Sequence, residues 1–252
     1  MIDAETIERL KLMRLSGMAQ VLIEMGDPNV SEHLTAPEII RLAVDREFDR
    51  RRNSKLHRLT KAADLADPHA HLGGIITVPG RTLDREFIAR LATGNYLVQG
   101  QNVIIQGPTG AGKTYLACAL GTKAVQQYKT VKYYRASDLF DQITLADASG
   151  TRSQLIDKLV RLDLLIIDDW FLAAPTLEQV RHLHTLIDKR TGKGSTIFAT
   201  QLPPAVWHDR MEEKIVADAI IDRITAGSHT TVISCDESLR RHFANQDDEA
   251  AA

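Results

Sequence analysis

Apolar residues recur every three to four positions through the first quarter of the chain, which is the spacing that places them on one face of a helix. Residues 7–13 and 18–25 follow this pattern and are separated by Ser16 and Gly17. A longer stretch begins at residues 35–38, where Thr, Ala, Pro and Glu form a capping box with proline in the first turn. Residues 1–66 are therefore predicted to form a small all-helical domain.

A different pattern begins near residue 100. Short runs rich in apolar residues alternate with longer stretches of helical periodicity. The run at 164–167 contains no polar residue, as expected for a strand that is covered on both faces. Alternating strands and helices predict an α/β fold, with a parallel sheet flanked by helices. The predicted strands lie at 102–106, 130–134, 164–167, 195–199 and 230–234.

The stretch between these two regions is punctuated by proline and glycine. Pro68, Gly73, Gly74, Pro79 and Gly80 favour turns and loops, so this stretch is predicted to be a linker. The expected organisation is a helical domain at 1–66, a linker at 67–99, an α/β domain at 100–241 and a disordered tail at 242–252.

Composition excludes several classes of protein. Of the 252 residues, 31 are Lys or Arg and 33 are Asp or Glu, so no uniform positive field attracts nucleic acid. Cys118 and Cys235 are too few for a zinc ribbon or a disulfide scaffold. The N-terminus lacks a signal-peptide pattern, and no apolar run reaches the roughly 18 residues of a membrane span. We expect a cytoplasmic protein without a membrane partner. The paired histidines His69/His71 and His182/His184 lack a nearby carboxylate or cysteine at ligand spacing, so solvated or core histidines are expected there and not a metal site.

Residues 107–114 read Gly-Pro-Thr-Gly-Ala-Gly-Lys-Thr, a complete phosphate-binding loop between a predicted strand and a predicted helix. Glycines let backbone N–H groups converge on a phosphate at the helix N-terminus. Lys113 can reach the β- and γ-phosphate oxygens, and the Thr114 hydroxyl can bind Mg²⁺. The sequence therefore predicts a site for ATP and Mg²⁺. The residues expected to bind the nucleotide are Gly107, Pro108, Thr109, Gly110, Ala111, Gly112, Lys113, Thr114 and Tyr115.

Two carboxylates, Asp168 and Asp169, follow the apolar run at 164–167. They stand at the edge of the sheet where open α/β proteins bind their ligands. Asp168, the first residue after the predicted strand, is expected to hold Mg²⁺ together with Thr114. Asp169 is expected to polarise the water that attacks the γ-phosphate. Together with Lys113, these residues predict ATP hydrolysis.

Six segments in order along the chain resemble AAA+ ATPases of the initiator and helicase-loader group. More specifically, they are similar to the IstB family, the ATPase helpers of insertion-sequence transposases. The resemblance implies a AAA+ domain, which agrees with the predicted parallel sheet flanked by helices beside a helical N-terminal domain. Only 18 residues follow the last predicted strand at 230–234, so little or no C-terminal lid is expected. Asp236 and Phe171 depart from the family pattern, which often has glycine at these positions. The six segments lie at residues 15–19, 36–40, 102–114, 165–170, 217–223 and 237–240.

The resemblance implies three further catalytic residues. Gln201, at the tip of a strand, corresponds to the first sensor of the γ-phosphate. Arg223 corresponds to the arginine finger that reaches the ATP of a neighbouring subunit, which implies a homo-oligomeric ring or spiral. Arg240 corresponds to the second sensor, and the adjacent Arg241 is the alternative.

Residues 50–61 contain six cations and no acid, on a predicted helix. Arg51, Lys55 and Arg58 share a stripe of that helix, which can neutralise DNA phosphates without reading bases. A run of this kind is also typical of an ordinary solvated helix face. The resemblance additionally implies a helical insertion at 134–162 that faces DNA. The candidates for DNA contact are Arg50, Arg51, Arg52, Lys55, Arg58, Arg135, Arg152 and Lys158.

The leading interpretation is an ATP-dependent helper of DNA transposition. It implies a protein that oligomerises on duplex DNA with ATP, recruits and stimulates its transposase, and hydrolyses ATP to drive turnover. The nearest alternative is a helicase loader that binds single-stranded DNA and a replicative helicase. A third reading is a kinase or nucleotide-dependent switch that does not bind DNA.

Overall fold

The computed structural model describes residues 3–27 and 34–239, so Arg240 and Arg241 lie outside the described residues, as does the predicted tail. The chain divides into two compact units, Met1–Arg58 and Leu59–Ala252. We call them the N-terminal unit and the α/β unit. The division falls eight residues before the predicted domain end at residue 66 and lies inside a long helix, Ala36–Ala63.

The N-terminal unit is helical, as the apolar spacing predicts. Helix α1 spans Ala4–Leu12, α2 spans Ser16–Glu24, and α3 is the long helix Ala36–Ala63. Helix α1 begins after Asp3, whose carboxylate accepts a hydrogen bond from the Thr6 N–H. The capping box appears at the start of α3, where Glu38 accepts hydrogen bonds from the backbone and side chain of Thr35.

Helices α2 and α3 cross at Gly17 and Glu47. A Cβ atom on Gly17 would lie 2.9 Å from the Cα of Glu47, so only glycine permits this approach. The Glu47 side chain is buried and accepts hydrogen bonds from the Gly17 N–H at 2.8 Å, from Arg50 at 2.8 Å and from Arg51 at 2.6 Å. These contacts, with Arg50 first, lower the pKa of Glu47 from 4.5 to about 2. The Glu47 carboxylate therefore stabilises the packing of α2 against α3.

Replacing Glu47 by glutamine should destabilise the N-terminal unit by about 2 kcal/mol at pH 7, because hydrogen bonds to a buried charge are lost. The pKa of Glu47 is lower in the folded state, so its contribution is complete above about pH 4.5 and is lost as the pH falls towards 2. Thermal unfolding of both proteins at pH 7 and pH 3 tests this. A difference in Tm that is equal at the two pH values would contradict the assignment.

The α/β unit contains the predicted strands and helices with small shifts of their ends. Its strands are β1 (Arg81–Thr82), β2 (Val103–Gln106), β3 (Val131–Arg135), β4 (Leu164–Trp170), β5 (Ser195–Thr200), β6 (His229–Val232) and β7 (Ser234–Cys235). Its helices are α4 (Arg85–Ala92), α5 (Asn95–Val98), α6 (Lys113–Gln126), α7 (Ala136–Ala148), α8 (Arg152–Val160), α9 (Leu177–Arg190) and α10 (Lys214–Thr225). Single 3-10 turns lie at Leu72–Gly74, Pro204–Val206 and His208–Arg210.

Five of the strands form one parallel sheet in the order β3-β4-β5-β2-β6, which confirms the predicted α/β architecture. Helix α6 approaches β4 closely at Gly121, where a Cβ atom would lie 2.9 Å from Ile166 Cδ1. Side chains of α7, α8, α9 and α10 pack with the sheet in a large apolar cluster that contains Trp170, Phe198 and Trp207. Since parallel strands all end at the same edge, this order brings the ends of β4, β5 and β2 together.

The segment predicted to be a linker, 67–99, folds as part of the α/β unit instead. Phe87, Ile88 and Leu91 form one buried face of α4, and Tyr96 and Leu97 are buried in α5. The helical spacing of these apolar residues is the sequence signal for the helices, but the nearby glycines and prolines led to the interpretation as a linker. Just before α4, β1 pairs with β7 in a small antiparallel sheet that the sequence pattern did not indicate. Across the described ranges 3–27 and 34–239, helices long and apolar enough to cross a bilayer are absent.

Candidate nucleotide site

The phosphate-binding loop connects β2 to α6. Gly110 and Gly112 have φ values of +80° and +89°, which other residues rarely adopt. Gly112 caps α6, so the first N–H groups of that helix have no intrahelical acceptor and are available for an anion. The Lys113 side chain is buried, and its Nζ donates a hydrogen bond to the Pro108 carbonyl at 2.9 Å. The loop thus places the Lys113 cation at the N-terminal end of a helix.

Asp168 lies directly behind this loop and is 2% exposed. Its Oδ2 accepts hydrogen bonds from the Thr114 hydroxyl at 2.6 Å and the Tyr133 hydroxyl at 2.9 Å, while its Oδ1 accepts the Asp169 N–H at 2.9 Å. Sequence reasoning paired Asp168 with Thr114 but missed Tyr133, since β3 and β4 are more than thirty residues apart. Burial, followed by the charge of Asp168, raises the pKa of Tyr133, so this phenol remains a proton donor.

Strand β4 was predicted to end at residue 167, but it continues through Asp168 and Asp169 to Trp170. Its pairing with β5 becomes irregular between Ile167 and Trp170. Within this irregular stretch Asp169 has a φ of +53°, in the left-handed region. Backbone strain of this kind persists where the surrounding structure enforces it, often at functional sites. Asp169 reaches the cavity described next, whereas Asp168 remains buried beside Thr114.

A cavity of about 410 Å³ opens in front of the loop, a volume within the usual range of small-molecule sites. Gln201, which follows β5, lines it together with Asp169. On another side, Ile75, Ile76 and Leu239 supply apolar surface of the kind that can receive a base. Ile75 and Ile76 were not predicted to line the site, because they lie in the stretch 67–99 that was interpreted as a linker. The lining residues are Asp67, Gly74, Ile75, Ile76, Arg81, Thr109, Gly110, Gly112, Lys113, Thr114, Tyr115, Asp169, Gln201 and Leu239.

The structure brings most of the predicted nucleotide ligands to this cavity. Among the loop residues, Gly107, Pro108 and Ala111 do not line it. Ala111 is fully buried, Pro108 supplies the carbonyl that Lys113 contacts, and a Cβ atom on Gly107 would lie 2.5 Å from the Ile233 carbonyl oxygen. These three residues shape the loop. The hydroxyl and carboxylate oxygens of Thr114 and Asp168 are the ligand type that Mg²⁺ prefers.

Arg223 is not among the residues that line the cavity. It lies on α10, where its Nε donates to Asp188 Oδ1 at 2.9 Å and its Nη1 donates to the Ala219 carbonyl at 3.0 Å. The guanidinium is partly exposed and is held by an acidic partner in its own subunit. Its assignment as a finger for a neighbouring subunit stays a prediction, as does that of Arg240 outside the described residues.

In the N-terminal unit, four of the five cations predicted to contact DNA line a concavity of about 550 Å³. Arg50 and Arg51 form ion pairs with Glu47, an acid just upstream of the run, and also donate to the Arg14 carbonyl at 3.0 and 3.4 Å. Arg50 and Arg51 therefore also stabilise the packing of the N-terminal unit. Arg52 is exposed but is not among the lining residues. The lining residues are Arg14, Arg50, Arg51, Ser54, Lys55 and Arg58.

The cations of the predicted DNA-facing insertion differ in their surroundings. The Tyr133 hydroxyl, and after it the charges of Tyr133 and Asp169, raise the pKa of Arg135, which therefore lies near Asp169. Arg152 contacts Asp147 at 2.6 Å and His182 Nε2 at 2.8 Å. Lys158 is exposed on α8.

The expectation that His182 has no carboxylate nearby is wrong. Potential ligand atoms of Asp147, Glu178 and His182 lie within 4.8 Å of one another. The sequence contained a partial signal, because Glu178 and His182 are four residues apart on one helix. Asp147 comes from the end of α7 and joins them only through the fold. The Arg152 guanidinium already supplies positive charge at this cluster.

Comparison with known proteins supports ATP binding by this chain. The family model of IstB-like ATP binding proteins matches residues 8–246. An ATP-binding protein of insertion sequence IS1162 from Pseudomonas fluorescens is 40% identical over 204 residues, which cover 81% of this chain and 88% of the relative. An insertion-sequence ATP-binding protein from Sinorhizobium fredii is 37% identical over 243 residues, which cover 96% and 98%.

Solved structures resemble this chain in fold. AMPPCP-bound DnaA from Aquifex aeolicus gives a TM-score of 0.57 at 20% identity and covers 74% of this chain and 57% of that protein. The crystal structure of DnaI gives a TM-score of 0.55 at 18% identity and covers 71% and 94%. At such identities the likeness concerns the fold alone, and it agrees with the predicted AAA+ fold. By the extent of the family match and of these relatives, the chain belongs to the family of IstB-like ATP binding proteins.

Proposed function

We propose that the chain is an ATPase that assists DNA transposition. In this proposal it binds ATP with Mg²⁺, assembles into an oligomer on duplex DNA, recruits and stimulates its cognate transposase, and hydrolyses ATP for turnover. The observation that carries the proposal is the convergence of Lys113, Thr114, Asp169 and Gln201 on one cavity. The insertion-sequence relatives support its biological setting.

The loop end of the cavity suits the phosphate chain of ATP. The N–H groups that begin α6 and the Lys113 ammonium would donate to phosphate oxygens, where the helix dipole also favours negative charge. Thr114 and Asp168 would hold Mg²⁺, which neutralises charge between the β- and γ-phosphates when bound. Tyr133 would keep the Asp168 carboxylate in place for this task.

Asp169 and Gln201 would act on the attacking water. The two neighbouring aspartates have different surroundings, because Asp168 is buried among three hydrogen-bond donors whereas Asp169 lies on the cavity surface. Asp169 would accept a proton from the water, and the Gln201 amide would orient that water towards the γ-phosphate. This division of roles is the basis for expecting hydrolysis in addition to binding.

The concavity of the N-terminal unit is the surface that we assign to DNA. Five cations line it, namely Arg14, Arg50, Arg51, Lys55 and Arg58, and Glu47 offsets part of their charge. Contacts of this kind neutralise phosphates without reading bases, so binding would weaken steeply with salt and depend little on sequence. Arg14 extends the surface beyond the predicted run, since the turn after α1 brings it beside α3.

Arg223→Ala should lower ATP hydrolysis on duplex DNA on the order of 10³-fold, because an arginine supplied in trans stabilises charge in the transition state. The hydrolysis rate per subunit should rise with protein concentration in the parent protein and stay flat in the variant. Phosphate release across a concentration series, together with sedimentation on duplex DNA with ATP, measures both effects.

Asp188→Asn is the matched control, because it removes the ion-pair partner of Arg223 within the same subunit. It should retain hydrolysis. An equal loss of ATP hydrolysis in Arg223→Ala and Asp188→Asn would show that hydrolysis depends on the Arg223–Asp188 ion pair and not on an arginine finger. Sedimentation on single-stranded DNA is run in parallel, and a preference for single strands would favour the helicase-loader alternative.

A further inference from the structure

Arg81 of β1 joins three segments that surround the nucleotide cavity. Its Nε donates a hydrogen bond to the Ala111 carbonyl of the phosphate-binding loop at 3.1 Å, and its Nη1 donates to the Ile76 carbonyl at 2.6 Å. Through β1 it pairs with Cys235 of β7, the strand that leads to the cavity residue Leu239. Arg81 itself lines the cavity, although neither the motif nor the resemblance pointed to it.

The third nitrogen of this guanidinium, Nη2, lies beside the start of α6. It is 2.9 Å from the point that a Cβ atom on Gly112 would occupy. Within the described ranges, the hydrogen bonds of Arg81 leave from Nε and Nη1, and Nη2 donates none. Two arms of the guanidinium therefore fix its position, and the third lies at the N-terminal end of the helix that carries Lys113 and Thr114.

This is an unfavourable place for a cation unless an anion is present. The dipole of α6 repels positive charge at its N-terminus, and Lys113 adds a second cation there. Among the carboxylates that the structure describes, none forms a salt bridge with Arg81. Burial lowers the pKa of the Arg81 guanidinium, as expected where neutral carbonyls replace water. A partly buried cation that forms no salt bridge with a described carboxylate and borders a cavity is suited to an anionic ligand.

We propose that Arg81 binds the phosphate chain of the nucleotide through Nη2, as a second cation in addition to Lys113. The proposal rests on the nucleotide binding proposed above and adds to it a ligand residue from outside the phosphate-binding loop. Arginine suits this task, because its planar fork can hold two carbonyls and still present a charged N–H to a phosphate oxygen. The same side chain would then link the bound phosphates to residues 74–76 and to β7.

The test compares the parent protein with Arg81→Gln, Arg81→Lys and the control Arg85→Gln. Arg85 is an exposed arginine four residues further along, and it does not line the cavity. ATP, inorganic tripolyphosphate and adenosine each compete with a fluorescent ATP analogue. Tripolyphosphate carries the phosphate chain alone and adenosine carries the base and ribose alone, so the pair separates the two halves of the nucleotide.

Arg81→Gln should weaken ATP and tripolyphosphate about tenfold, the effect of one charge-assisted hydrogen bond, and leave adenosine unchanged. Arg81→Lys, which keeps the charge but not the fork, should fall in between and serves if Arg81→Gln does not fold. Arg85→Gln should match the parent. Tripolyphosphate affinity that is unchanged in Arg81→Gln, or adenosine weakened as much as ATP, would overturn the proposal. Failure of the parent protein to bind ATP would instead overturn the nucleotide site itself.

Discussion

Lys113→Ala should lower the affinity for ATP on the order of 10²-fold or more. The Lys113 ammonium is buried at the N-terminus of α6, 2.9 Å from the Pro108 carbonyl, so it is already in place before any phosphate arrives. A preorganised cation in a partly dehydrated site interacts with phosphate more strongly than the same cation in water. Alanine removes both the charge and its hydrogen bonds, and the Gly112–Thr114 backbone cannot replace them.

Titration with a fluorescent ATP analogue measures this loss, and Lys123→Ala is the matched control. Lys123 lies near the other end of the same helix, so its replacement makes the same chemical change to α6 away from the cavity. Both variants should unfold at temperatures close to that of the parent, because the remainder of the α6 packing against the sheet is intact. Affinity within threefold of the parent in Lys113→Ala would show that the loop does not bind phosphate as proposed.

Loss of ATP binding should also remove assembly on duplex DNA if the oligomer depends on nucleotide. The Lys113→Ala variant therefore distinguishes DNA binding by the N-terminal unit from assembly that requires ATP in the α/β unit. The concavity around Arg58 is remote in sequence from the loop, so residual, salt-sensitive DNA binding by isolated Lys113→Ala subunits would come from the N-terminal unit alone. Cooperative binding, which needs subunits in contact, should be absent.

The position of the loop at 107–114, between a strand and a helix, could be predicted because its sequence signals are local. Eight consecutive residues supply the left-handed glycines, the cation and the helix start, and the flanking apolar runs identify the strand and the helix. The parallel sheet could be predicted as well, since β4 begins with four apolar residues at 164–167 before Asp168 and Asp169. In both cases the informative residues are neighbours in sequence.

What the sequence could not indicate depends on contacts between distant segments. Tyr133 reaches Asp168 only because β3 and β4 are adjacent in the sheet, and Arg81 reaches Ala111 across thirty residues. Glu47 stands just outside the basic run, so counting charges within 50–61 missed the ion pairs of Arg50 and Arg51. Glycines at 73, 74 and 80 indicated a linker, although a Cβ atom on Gly74 would lie 2.2 Å from the Tyr115 hydroxyl oxygen. Glycine there permits close packing.

Asp169→Asn should lower the kcat of ATP hydrolysis by about 10² to 10³-fold while the affinity for ATP stays within a few-fold of the parent value. A general base contributes roughly this much, and an amide cannot accept the proton of the water. Asparagine is the informative replacement because it tolerates the left-handed backbone that Asp169 adopts at φ +53°. The backbone N–H that donates to Asp168 Oδ1 is also retained, so the site for Mg²⁺ should be undisturbed.

Single-turnover hydrolysis with saturating ATP, set beside an ATP titration, distinguishes this role from a structural one. Asp141→Asn makes the same change at an exposed position of α7 and should hydrolyse ATP at the parent rate. Asp168→Asn should differ from Asp169→Asn, because Asp168 would hold Mg²⁺ together with Thr114. It should raise the Mg²⁺ concentration needed for hydrolysis in addition to lowering kcat. If Asp169→Asn hydrolyses ATP normally, the proton acceptor lies elsewhere. If it loses ATP binding to the same degree as Lys113→Ala, Asp169 holds the cavity together and is not the base.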